Sequence, residues 1–140
     1  MRTKAMATVA MAAVCSTGFA ASADAKGYDL WTATKITDGK AHGYGNVTFP
    51  AAKRFHVKGR INDICDGDGY GAYIEFKINF RGGGYARNLR KDTEGCKAGG
   101  KGYEFGHKFP KRIKSVGITV AEIDADTGEL GDFKRKLIKR

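Results

Sequence analysis

The chain has 140 residues, with 25 Lys and Arg against 15 Asp and Glu, for a net charge of +10. That length fits one domain, and the charge favours acidic partners. The apolar runs are shorter than the roughly 20 residues that a membrane-spanning helix needs.

The first residues read as an export signal. Arg2 and Lys4 give a positive start, Ala5 to Val14 is a short run of small apolar residues, and Ala21-Ser22-Ala23 and Ala23-Asp24-Ala25 both fit small-x-small cleavage sites. No Arg-Arg pair precedes the apolar run, so the twin-arginine route is not indicated. The expected division is a signal peptide over 1–25 and a secreted, extracellular domain over 26–140. Cleavage removes Arg2, Lys4 and Asp24 and lowers the net charge by one unit. Cys15 leaves with the signal, so Cys65 and Cys96 remain. In an exported protein such a pair predicts one disulfide. It closes a loop of about 30 residues, worth roughly 3–4 kcal/mol.

In chain order, Tyr28 to Thr37 is rich in β-branched and aromatic residues and predicts a first strand. Asp38-Gly39 is a hairpin turn signal. A second strand runs from about Ala41 to Phe49, where Gly43 and Gly45 mark a bulge or an edge, and Pro50 ends it. The strongest pattern follows, from Lys53 to Arg81. Phe55, Val57, Gly59 and Ile61 alternate with His56, Lys58, Arg60 and Asn62. After the acidic glycine loop Asp63–Gly69, Tyr70, Ala72, Ile74, Phe76, Ile78 and Phe80 alternate with Tyr73, Glu75, Lys77, Asn79 and Arg81. Period-two alternation gives each strand one apolar and one polar face. The two are expected to pair as an antiparallel hairpin.

Gly82-Gly83-Gly84 breaks the pattern, and Tyr85 to Lys91 reads as a short edge strand or a loop. Asp92 to Gly102 reads as a long surface loop holding Cys96. Tyr103 to Phe109 alternates again, and Pro110 closes it. Arg112 to Ile123 puts Val116, Ile118 and Val120 on one face. Ile123 falls out of step, which a β-bulge near Ala121 explains. Asp126-Thr127-Gly128 turns the chain into a last strand holding Phe133, Arg135 and Leu137. No amphipathic helix or internal repeat is evident. About seven short strands separated by turns predict an all-β fold, a β-sandwich or small barrel, of which the antiparallel sandwich is expected here.

Three features bear on chemistry. Asp63, Asp66 and Asp68 place hard oxygen ligands in one loop, which raises Ca²⁺ as a cofactor; turn chemistry explains the same residues. It is not an EF-hand, because Tyr70 and Lys77 fall where ligands are required. Glu75, Arg87 and His107 resemble, in order, the Glu, Arg and His set of small secreted microbial ribonucleases. There an acid and a base shuttle one proton while Arg steadies the phosphate. This chain lacks the Asp-His-Tyr context and the N-terminal helix of those enzymes. No nucleophile elbow or phosphate-binding glycine loop is present.

The basic residues are the third feature. Lys108, Lys111, Arg112 and Lys114 form one cluster; Lys134, Arg135, Lys136, Lys139 and Arg140 form a second. Lys53, Arg54, Lys58 and Arg60 add to the surface. Such charge predicts attraction to anionic cell-wall polymers or polysaccharides, and to nucleic acid only nonspecifically. Trp31, Tyr44 and Tyr73 are candidates for stacking on sugars.

The runs Val57-Lys58-Gly59-Arg60-Ile61-Asn62-Asp63 and Asp68-Gly69-Tyr70-Gly71-Ala72-Tyr73-Ile74 resemble a pattern in small exported β-sandwich proteins of actinomycetes, most without an assigned activity. The resemblance covers about 20 residues. It implies secretion and a sandwich fold, and no catalytic residue. The leading expectation is a secreted, non-enzymatic binder of an anionic surface. A small secreted hydrolase using Glu75, Arg87 and His107, and an inhibitor or antimicrobial protein presenting Asp92–Gly102, are the alternatives.

Overall fold

A computed structural model describes residues 24–32, 40–64, 69–93 and 100–140. Every regular element in it is a strand: β1 (Lys26–Trp31), β2 (Lys40–Ala51), β3 (Arg54–Ile64), β4 (Tyr70–Phe80), β5 (Tyr85–Asp92), β6 (Lys101–Lys108), β7 (Ile113–Asp124) and β8 (Leu130–Lys139). They form two antiparallel sheets of four strands, in the orders β1-β2-β3-β6 and β5-β4-β7-β8. The apolar faces of the two sheets meet in one core, as in a β-sandwich.

The described residues hold eight strands where about seven were expected, because Tyr85 to Lys91 belongs to a full strand. β5 pairs with β4 from Ala72↔Asp92 to Asn79↔Tyr85. Its inward positions are Ala86, Asn88, Arg90 and Asp92, so the usual apolar alternation is missing. Asn88 and Arg90 are tolerated there because they are only partly buried, with the Arg90 guanidinium 4.7 Å from the Phe105 ring centre, while buried Asp92 accepts the Asp63 N–H.

The expected hairpin does not form. β3 pairs with β2 and β6, and β4 pairs with β5 and β7, in separate sheets. Both strands have one apolar face, as read, but Phe55, Val57 and Ile61 face Ile74, Phe76 and Ile78 across the core. Lying face to face buries both stripes, at about 1.5–3 kcal/mol per large side chain. Lying edge to edge would still leave both stripes needing a cover.

Gly43 and Gly45 mark neither an edge nor a bulge. β2 is an inner strand, and its register shift lies further on, between Thr48 and Ala51 around Pro50. The glycines make room. Gly45 pairs with Gly59, and a Cβ on Gly59 would lie 2.6 Å from the Tyr28 hydroxyl and 2.7 Å from that of Tyr103. The two hydroxyls hydrogen-bond to each other above this glycine pair. Phe76 meets the Tyr28, Tyr103 and Phe105 rings edge-on at 6.0, 5.5 and 5.4 Å.

A register shift between Ala121 and Ile123 is present, in the pairing with β8. Ile123 falls out of step for a simpler reason: it points outward, and it is buried there with Tyr73 and Ala121 in a second, small cluster. β1 ends at Trp31, and residues 33–39, with the Asp38-Gly39 turn, lie outside the described residues.

Candidate polyanion-binding surface

The topology gives the sandwich two different ends. At one end the β2–β3, β4–β5 and β6–β7 connections meet the C-terminus. Backbone hydrogen bonds join them: Phe109 N–H to the Lys53 carbonyl at 2.7 Å, Ile113 N–H to Ala52 at 2.8 Å, Arg81 N–H to Arg112 at 2.9 Å, and Arg140 N–H to Lys114 at 3.2 Å. Lys53, Arg54, Arg81, Lys108, Lys111, Arg112, Lys114 and Arg140 therefore crowd together, and all are exposed. None of them takes part in an ion pair among the described residues. Lys111 Nζ donates to the Gly83 carbonyl at 3.4 Å. Asp24 comes near, sharing a hollow with Lys26, Phe49 and Arg140.

The other described carboxylates are elsewhere. Asp29, Glu75 and Glu104 sit along strands, and Asp63, Asp92, Glu122, Asp124, Asp126, Glu129 and Asp132 sit at or near the opposite end. There Asp124 Oδ1 accepts the N–H groups of Asp126 and Thr127, both at 2.8 Å, and these bonds hold its carboxyl below the usual range.

The first predicted cluster, Lys108, Lys111, Arg112 and Lys114, thus stays together and gains Lys53, Arg54, Arg81 and Arg140. The second is split by strand alternation. Lys139 and Arg140 reach the basic end, while Lys136 turns towards β1, donating to the Gly27 carbonyl at 3.0 Å. Lys134 shares the face of Lys136. Arg135 lies on the outer face of its sheet, beside a trough of about 490 Å³ over Gly117 lined by Glu75, Lys77, Arg87 and Leu137.

The hydrolase set is not assembled. Glu75 and Arg87 do meet on the outer face, with Nε 3.9 Å from Oε1. Glu75 Oε2 also accepts the Tyr73 hydroxyl at 2.9 Å. Burial, then this bond, pushes the Tyr73 hydroxyl up to about 12. His107 pairs with Phe55 on the inward side of β6. Its ring lies 4.6 Å from Phe109, in a cleft of about 260 Å³ that Ala86 and Asn88 also line. The β5-β4-β7-β8 sheet separates it from Glu75.

Asp66, Asp68, Cys65 and Cys96 lie outside the described residues. Asp63 is buried on the inner face of β3, and its N–H donates to Asp92 Oδ2 at 3.4 Å. Among the described residues no group of three or more His, Cys, Asp or Glu is placed to hold a metal ion. Of the Asp92–Gly102 loop, 94–99 lie outside the described residues. Its ends are anchored: Asp92 is buried, and Gly100 has φ +59 with its Cβ position 2.3 Å from the Ile61 carbonyl, which only glycine accepts.

Compared with protein-family models, curated proteins and solved structures, the chain matches none. Among the described residues no helix is long and apolar enough to cross a membrane.

Proposed function

We propose that the protein is a secreted, non-enzymatic binder of anionic extracellular polymers that docks by its basic end. The observation that carries this reading is the gathering of exposed cations, from several separate chain segments, into one end, with none of them ion-paired among the described residues. Holding like charges together is unfavourable for the isolated protein and favourable against a polyanion. The signal-like residues 1–25 and the net charge of +10 agree with an anionic target outside the cell.

The test is retention on an acidic polysaccharide and on isolated cell walls over a salt gradient. The variant Lys108→Glu/Lys111→Glu/Arg112→Glu should elute at clearly lower salt, because exposed charges act only within about 10 Å at 0.1 M. A variant with the same charge change elsewhere, Lys40→Glu/Lys77→Glu/Lys91→Glu, should move much less. Equal shifts for both would leave only net charge and overturn the reading.

A further inference from the structure

We propose that the outer face of the β1-β2-β3-β6 sheet seats a glycan chain, with a pyranose ring on Trp31 and acidic sugars over Lys58 and Arg60. This rests on the reading that the partner is an extracellular anionic polymer, and it names that polymer's chemistry.

The Trp31 indole stacks on the His42 imidazole at 3.6 Å and 13°, and His42 stacks on Tyr44 at 4.7 Å and 27°. Pairing across β1 and β2 sets Trp31 against His42, and two-residue spacing puts Tyr44 on the same face. His42 Nε2 lies 2.7 Å from Asp29 Oδ1, which fixes the imidazole between the two larger rings. With one face covered by His42, Trp31 is still 45% exposed, and Tyr44 is 39% exposed. Two exposed aromatic rings held side by side by His42 offer a flat, partly apolar stacking surface. Rigid Trp and Tyr rings also lose little entropy on binding.

The rest of the face suits a sugar. Asn46 and Asn62 project from the same side as His42 and Tyr44. Gly102 leaves a hollow of about 450 Å³ beside Lys58, Arg60 and Glu104. A Cβ at Gly102 would come no closer than 3.9 Å to any atom, so the hollow is open space. A pyranose has an apolar C–H face for the indole and a rim of hydroxyls for amides and a carboxylate. Lys58 Nζ lies 3.3 Å from Glu104 Oε2, and Arg60 donates to the Gly100 carbonyl at 3.3 Å, so a sugar carboxylate would use the remaining donors of Arg60 and share Lys58 with Glu104. Trp31 and Gly102 are three strands and two residues of register apart, about 16 Å, so the ligand is an oligosaccharide. A nucleic acid fits less well, because Asp29 and Glu104, whose side chains are 69% and 54% exposed, can accept from sugar hydroxyls, whereas phosphodiester oxygens carry no proton to donate to them.

Trp31 is the chain's one tryptophan, so fluorescence excited at the red edge, where tyrosine does not absorb, reads this site alone. The mature protein is titrated with tetrasaccharides of galacturonate, hyaluronan and heparin at 0.3 M NaCl. At least one should give a saturable spectral shift. Tyr44→Ala should weaken it about tenfold with an unchanged melting temperature, and Gly102→Leu should weaken it by filling the hollow. Lys108→Glu/Lys111→Glu/Arg112→Glu should keep the shift while losing retention at low salt. No saturable shift with any tetrasaccharide, or a tighter response to a thymidine dodecamer, overturns the glycan seat. If wild type still binds walls through its basic end in that case, the broader reading stands. If it binds no matrix, both fall.

Discussion

The Tyr28–Tyr103 hydroxyl pair above Gly45 and Gly59 should behave as one unit in a double-mutant cycle. The two residues are 3% and 7% exposed. Tyr103→Phe removes one hydroxyl and leaves the other buried without this partner, a loss of about 1–3 kcal/mol. Tyr28→Phe does the same from the other side. The double Phe variant keeps both rings and has no hydroxyl to satisfy, so it should lie close to wild type. The expected coupling is about 1–2 kcal/mol, read as Tm by calorimetry at about 4 °C per kcal/mol for a domain of this size. Additive losses would refute the claim that each hydroxyl is the other's partner. High pH gives an independent check. Burial first raises both hydroxyls above their ordinary value, Tyr103 to about 12 and Tyr28 further. Their contribution to stability is therefore complete below about pH 10. It is lost as pH rises through the folded-state values, at about 1.4 kcal/mol per pH unit for each group. Between pH 10 and 12 wild type should lose stability more steeply than the double Phe variant. Parallel curves would show that these hydroxyls titrate alike folded and unfolded.

Gly59→Ala should cost about 1–3 kcal/mol by overpacking, since its Cβ would sit 2.3 Å from the Tyr44 carbonyl. Gly102→Ala on the neighbouring strand should change denaturation by less than about 0.5 kcal/mol, and equal effects would count against the seat described for the tyrosines. If Cys65 and Cys96 form the expected disulfide, the chain freed of residues 1–25 should react with no thiol reagent until reduced. Cys65→Ser should then lose roughly 3–4 kcal/mol, and two reactive thiols in the untreated protein would remove that expectation.

Much of the fold was legible in the sequence because alternation is a local property. The inward sets of β3 and β4 could be read residue by residue. Alternation says that a strand has an apolar face and is blind to whether its successor lies beside it or across from it, so the hairpin was misplaced. Gly43 and Gly45 looked like weak points because the groups that crowd them come from elsewhere in the chain: Val120 and Ile74 across the core at Gly43, and the Gly59 backbone and Tyr28 hydroxyl at Gly45. At the candidate site, Lys108 to Lys114 are neighbours in sequence and were seen as a group. Arg81 and Arg140 join them only through turns that meet at one end. The run from Lys134 to Arg140 looked like a single cluster, but strand alternation sends its members to different faces. Trp31 and Tyr44 were visible as aromatics; nothing in the sequence sets apart His42, which links them.

The uneven charge of the two ends makes the molecule an electric dipole whose axis runs along its strands. As it nears a negative surface, the field turns the cationic end inward before contact. Molecules held this way stand upright, with both sheets edge-on to the surface and the face bearing Trp31 turned sideways, along the layer. The end left facing outward carries Asp124, Asp126 and Glu129 together with Lys40, Lys91 and Lys101. A first layer would therefore present mixed charge, with no strong attraction for the basic end of a second molecule. Such a coat would stop at a monolayer and come off as salt is added.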